Sequence, residues 1–145
     1  MYDYKIIINF ITGGIEMSDL KNRQEENLII IGGGPGGLSA SIYAARNGVA
    51  PLVLNGPEPG GQITTTSELE NYPGFPDPIG GFELTQKMTE QAENFGVRLK
   101  YESAEEVDFS GDKFTVKTEM GEYIADSIII STGAEPKTLG LDKED

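Results

Sequence analysis

Leu28-Ile29-Ile30-Ile31-Gly32-Gly33-Gly34-Pro35-Gly36-Gly37-Leu38-Ser39-Ala40 is the stretch whose reading decides the fold. Four consecutive apolar residues predict a buried strand, and beyond the glycines Leu38, Ile42 and Ala45 recur at helical spacing. Gly32, Gly34 and Gly37 fit G-x-G-x-x-G, the dinucleotide-binding fingerprint. Each glycine has a physical task. Gly32 permits the tight turn, Gly34 lets a pyrophosphate approach the main chain, and Gly37 lets helix and strand pack closely. Pro35 suits a first helical turn. It opens, with Gly36, a helix whose unpaired N–H groups and positive dipole end suit phosphates. The fingerprint alone is a weak signal. The strand before it and the helix after it raise it above a glycine-rich turn of some other α/β protein.

Composition narrows the chemistry. A chain of 145 residues can build one domain with a real core. It has no cysteine, so this chain carries no structural disulfide, thiolate metal site, cysteine nucleophile or C-x-x-C redox centre. It has no histidine either, which removes the commonest general base and zinc ligand. No metal site and no catalytic side chain is therefore assigned. The net charge of −13 disfavours nucleic acid and anionic membranes as partners. An anionic ligand must then be held by backbone N–H groups rather than by a basic pocket. No apolar run reaches membrane-spanning length, and a cytoplasmic setting suits the acidic balance.

Residues 1–27 read as an N-terminal extension. The apolar run Ile6-Ile7-Ile8-Asn9-Phe10-Ile11 makes a poor signal peptide and could serve as an extra edge strand. Met17 is the alternative start, because Gly13-Gly14-Ile15-Glu16 before it can be encoded with a purine-rich ribosome-binding stretch. Residues 18–27 read as a flexible lead-in.

From residue 28 onward a domain takes shape. A strand at 28–31, a helix at 35–47 capped by Gly48, and a strand at 52–54 make one parallel βαβ unit. Residues 55–81 form a long loop rich in Gly, Pro, Thr and Asn, read as ordered and ligand-wrapping. An amphipathic helix is expected at 82–95, closed by Gly96, then a short strand at 97–101. Strands at 104–109, 113–118 and 122–125, joined by turn residues, predict an antiparallel meander. Residues 127–131 read as another buried apolar strand ending in Thr132-Gly133, and the tail from Ala134 shows no further element. The fold class is α/β, a Rossmann-like βαβ domain with an antiparallel meander.

Asn55 stands where the second strand of a dinucleotide fold usually places Asp or Glu for the ribose. Asn can still bond a ribose but adds no charge. No Arg or Lys stands beside it for a 2′-phosphate, which favours FAD or NAD over NADP.

The motifs now resemble a known family. Ile-Ile-Gly-Gly-Gly-Pro-Gly-Gly at 30–37, Gly60-Gly61-Gln62-Ile63-Thr64-Thr65-Thr66, Glu70-Asn71-Tyr72-Pro73-Gly74 and Ser131-Thr132-Gly133-Ala134 are similar, in order, to the FAD half of low-molecular-weight thioredoxin reductases. The resemblance implies FAD as cofactor. Gly32, Gly34, Pro35, Gly36 and Gly37 would hold its pyrophosphate. Asn55, Gly60, Gly61 and Gln62 would wrap the ribose and flavin side, Thr66 and Asn71 would lie against the isoalloxazine ring, and Thr132 and Gly133 would pass the cofactor. The backbone of Ala104 would meet the adenine. In that family a C-x-x-C and NADPH sit in a following domain, and a last strand and helix return to the flavin afterwards. Residues 28–145 are thus expected to be a partial FAD-binding domain, incomplete at the C-terminus and inactive alone. Its complete form would pass electrons from NADPH through flavin to a thioredoxin-like disulfide or another acceptor, as a homodimer. Two alternatives stand beside it: part of a ferredoxin–NADP reductase of the same architecture without C-x-x-C, and a non-catalytic flavin- or nucleotide-binding module.

Overall fold

The first strand, β1, runs Arg23–Ile31, so it begins before its apolar run does. The computed structural model describes residues 23–134, and the readings made for residues 1–22 and 135–145 lie outside them. Helix α1 (Pro35–Arg46) follows, then β2 (Leu52–Leu54) and a 3-10 turn at Gln62–Thr65. Helix α2 (Gly81–Asn94) leads to β3 (Arg98–Lys100), β4 (Ala104–Asp108), β5 (Phe114–Thr118) and β6 (Gly121–Ile130). The six strands form one sheet in the order β3-β2-β1-β6-β5-β4. The first four are mutually parallel, and β5 and β4 continue antiparallel. The α/β class, the βαβ unit and the meander stand as read.

Alternation along β1 sorts the core into two layers, as a strand buried on both faces requires. Leu28 and Ile30 join Val53 beneath the helices, against Leu38 and Ile42 of α1 and Leu84 and Met88 of α2. Ile29 and Ile31 join Leu52 and Leu54 on the other face, with Val116, Tyr123 and Ala125 of the meander. Each fully buried Leu, Ile or Val side chain among them contributes about 1.5–3 kcal/mol relative to exposure. Gly48 and Gly96 follow the two helices with φ of 83° and 79°, the left-handed conformation that ends a helix.

Three expectations are corrected. Residues 23–27 are strand, not flexible lead-in, because β6 is long enough to pair with them: Arg23 meets Glu122 and Glu26 meets Ala125. The two strands expected at 122–125 and 127–131 are a single β6. Asp126 and Ser127 look like a break in the apolar pattern, yet β1 pairs with β6 on both sides of them. The end of β6 is also not a buried run. Ile129 is 37% and Ile130 63% exposed, since β5 stops opposite Ala125 and covers nothing further along.

The long loop is ordered, as read. Leu69 and Ile79 exchange backbone hydrogen bonds of 2.8 and 3.1 Å across it. Its 3-10 turn rests against the start of α2. A β-carbon on Gly81 would lie 1.7 Å from the Ile63 carbonyl oxygen, so only glycine allows that approach.

Candidate functional site

The C-terminal ends of β1, β2 and β6 meet at one edge of the sheet, where α/β folds carry their ligand crevice. The Gly32 N–H donates to Leu54 O at 2.9 Å and the Ser131 N–H to Ile31 O at 2.8 Å, tying the three strand ends together. They open into a cleft of about 710 Å³, within the usual range of cofactor sites.

The glycines of the first turn divide by what surrounds them. Gly32 has a φ of 110°, and a β-carbon on it would lie 2.1 Å from Ser131 O. A β-carbon on Gly37 would meet Gly32 O at 1.9 Å, so Gly37 seats α1 on the turn rather than facing the cleft. Gly34 is different: its nearest neighbour would be Gly60 O at 3.7 Å, so its bareness leaves open cleft and not tight packing. Gly34 is also the N-cap of α1, with no side-chain cap and no acidic residue in the first turn. The first N–H groups of the helix therefore stay available, and with them the positive end of its dipole.

Asn55 leaves β2 beside the glycine turn, its side chain packed against Gly33. Its Oδ1 is buried and accepts no hydrogen bond among the described residues. An unsatisfied buried acceptor costs about 1–3 kcal/mol; this one is packed against Gly33, where a β-carbon would lie 1.7 Å from it, while Asn55 itself lines the cleft. Its backbone is well held: the Asn55 N–H donates to Lys100 O at 2.8 Å, and the Gly56 N–H to Glu102 O at 3.0 Å.

Gly60, Gly61 and Gln62 form the third wall. Both glycines have positive φ, 89° and 67°. Gln62 Nε2 donates to Ala134 O, a strap from the 3-10 turn to the chain beyond β6. Thr132 and Gly133 border the same space and are exposed. Among the described residues, Glu58 is the only titratable side chain on this lining. The arrangement offers backbone donors, the neutral polar side chains of Asn55, Gln62, Ser131 and Thr132, and bare main chain. It suits binding and orientation, and among the described residues it contains no acid–base pair.

The structure thus gathers Gly32, Gly34, Pro35, Gly36, Asn55, Gly60, Gly61, Gln62, Thr132 and Gly133 on one cleft. Gly37 supports it from beneath. Thr66, Asn71 and Ala104 are not on its lining. Thr66 caps the 3-10 turn and accepts the Gly81 N–H at 3.0 Å, Asn71 is exposed before Tyr72, and Ala104 starts β4. The sequence assigns no binding role to Gly33, Pro57, Glu58, Ile63, Ser131 or Ala134, which also line the cleft. Gly33 holds an unconstrained position of the fingerprint, and its place in the middle of an unbroken run of three glycines is its available signal. Among the described residues no cluster of acidic side chains is arranged to hold a metal ion, and no helix is long and apolar enough to cross a membrane.

With that geometry in hand, comparison with known proteins is specific. The sequence pattern of the family described as pyridine nucleotide-disulphide oxidoreductase matches residues 26–145. Thioredoxin reductase of Rickettsia prowazekii (strain Madrid E) is 50% identical over 118 residues, covering 81% of this chain and 38% of that protein. Among solved structures, Lactococcus lactis thioredoxin reductase in its FR conformation aligns with a TM-score of 0.76 and 41% identity, over 82% of this chain and 39% of that one. A ferredoxin-flavin thioredoxin reductase from Clostridium acetobutylicum aligns with a TM-score of 0.71 and 28% identity, over 80% and 40%. The chain therefore spans about two fifths of the length of the relatives it matches.

Proposed function

The chain belongs to the pyridine nucleotide-disulphide oxidoreductase family, and on that premise we propose that its cleft holds the FAD of a thioredoxin-reductase-like flavoprotein. Asn55 lines the cleft at the strand end where dinucleotide folds receive a ribose hydroxyl. The observation that carries this reading is the uncapped start of α1 behind the bare Gly34, which offers the Gly36 N–H to a pyrophosphate. This supplies an anion site without a basic side chain, as the acidic composition demands.

In this reading Gly34 keeps the main chain bare where the phosphates approach. Gly60, Gly61 and Gln62 enclose the ligand from one side, and Thr132 and Gly133 from the other. Thr66 and Asn71 are assigned to the isoalloxazine side, and the Ala104 backbone to the adenine. Bound there, FAD would supply two-electron transfer between a nicotinamide donor and a disulfide. The residues of this chain bind, orient and shield, and none of them moves a proton. For the whole protein we assign NADPH as donor, a thioredoxin-like disulfide as acceptor and a cytoplasmic homodimer. Those assignments rest on the likeness to thioredoxin reductases.

The test is a titration of the 145-residue chain with FAD, followed by flavin fluorescence anisotropy, with ADP as competitor. Saturable binding that ADP displaces is expected. Absence of saturable binding, or binding indifferent to ADP, would overturn the reading.

A further inference from the structure

The stretch between β3 and β4 carries a buried carboxylate that the cleft does not itself use. Glu102 is 8% exposed. Its Oε2 accepts from the Tyr123 hydroxyl at 2.7 Å and from the Thr118 hydroxyl at 2.8 Å. Lys100 Nζ lies 3.4 Å from Oε1 and donates to the Tyr123 hydroxyl at 2.7 Å. Thr118 ends β5 and Tyr123 lies in β6. The carboxylate therefore ties a segment without regular structure to two strands on the far side of the sheet. Buried charge is tolerated only when paired and hydrogen-bonded, and this one is both.

The main chain of the same segment reaches the cleft. Lys100 O and Glu102 O accept the N–H groups of Asn55 and Gly56. β2 has already ended, so these two bonds determine how Asn55 leaves the sheet. We infer that Glu102 is a positioning residue of the nucleotide site: its anchored carboxylate fixes the main chain at 100–102, and that main chain presents Asn55 to the ribose. The inference rests on the reading of the cleft as an FAD site. A purely structural Glu102 would stabilise the fold without any coupling to Asn55.

The experiment compares the intact chain with its Glu102→Gln, Asn55→Ala and double variants, using ADP affinity and amide hydrogen exchange. Loss of one charge-assisted anchor is expected to weaken ADP binding by about tenfold in Glu102→Gln. The double variant should bind no more weakly than Asn55→Ala, because the two residues act as one unit. Without ligand, the Asn55 and Gly56 amides should exchange faster while Ile30 and Val53 in the core stay protected. Thr118→Val keeps the charge and removes one donor, so it should shift both readouts the same way by less, and it serves if Glu102→Gln does not fold. Losses that add in the double variant, or unchanged exchange at Asn55 and Gly56, would refute the positioning role while leaving the FAD reading intact. An intact chain that binds neither ADP nor FAD would remove both together.

Discussion

The side-chain oxygen of Asn55 occupies the space that a β-carbon on Gly33 would take: an ideal Cβ there would lie 1.7 Å from Oδ1 and 2.6 Å from Cγ. The turn after β1 and the end of β2 thus interlock through the absence of one side chain. Gly33→Ala forces Asn55 out of its place, and such overpacking costs about 1–3 kcal/mol. Adding Asn55→Gly removes the obstacle and should recover most of that loss. Urea denaturation of the two single variants and the double variant measures the coupling. Additive losses would show that the contact is not what makes Gly33 necessary.

Gly34 and Gly37 belong to one fingerprint yet should respond in opposite ways. A methyl on Gly34 has no close neighbour, with Gly60 O at 3.7 Å, and its φ of −76° suits any residue. Gly34→Ala should leave stability within about 0.5 kcal/mol of the parent. It should nevertheless abolish FAD and ADP binding, since the methyl stands where the phosphates approach. A methyl on Gly37 would press on Gly32 O at 1.9 Å. Gly37→Ala should therefore lower the urea midpoint before binding is even measured. Thermal melts with and without ADP separate the two kinds of loss.

The contrast between these glycines explains how much of the molecule was legible beforehand. The β1–α1–β2 unit follows from local signals, an apolar run, helical spacing and a proline–glycine boundary, so its strand at Leu52–Leu54 was placed to the residue. The first half of β1 carried no such signal. Arg23, Gln24, Glu25 and Glu26 are polar, and they become strand only because β6 pairs with them. Likewise nothing in Ile128-Ile129-Ile130 reveals that β5 will stop short of them. On the site, backbone roles were readable wherever the fingerprint prescribes a glycine. Gly33 was not, because its reason is a side chain from another strand. The choice of FAD came from family likeness and the neutral Asn55. The packing of its Oδ1 against Gly33 emerges only once the strands are assembled.

Glu26 offers a test of the polar half of β1. Its side chain is 5% exposed and is held by Arg98, whose Nη1 donates to Oε1 at 3.0 Å. The hydrogen bond and the charge of Glu26 together raise the Arg98 guanidinium above its ordinary value despite the opposing effect of burial. Arg98→Met leaves the carboxylate buried without its partner and should cost about 1–3 kcal/mol. Glu26→Gln in the same chain removes the stranded charge and should restore part of that loss. Guanidinium-free urea melts at low salt measure both steps. An Arg98→Met variant as stable as the parent would show that water reaches Glu26 freely.

Glu102 sets the acid limit of the fold. Burial alone pushes its carboxyl up, but the hydrogen bonds from Tyr123 and Thr118 and the Lys100 ammonium outweigh burial and hold it below the ordinary value of 4.5. A carboxyl lowered on folding contributes stability that is fully present above its unfolded value and is lost as pH falls through the folded one. The Glu102 contribution should therefore be constant near neutrality and disappear in acid, below about pH 4.5. Glu102→Gln cannot titrate, so its deficit relative to the parent should be largest near pH 7 and shrink as pH drops through that window. Urea midpoints of both proteins from pH 7 to pH 3 give the comparison. Asp108 also lies below its ordinary value, through hydrogen bonds from Ser110, but it is fully exposed and is common to both proteins, so it cancels in the difference. A deficit that stays constant down to pH 3 would mean that the Glu102 carboxylate is not held by its three neighbours, and the anchoring of Asn55 through it would lose its physical basis.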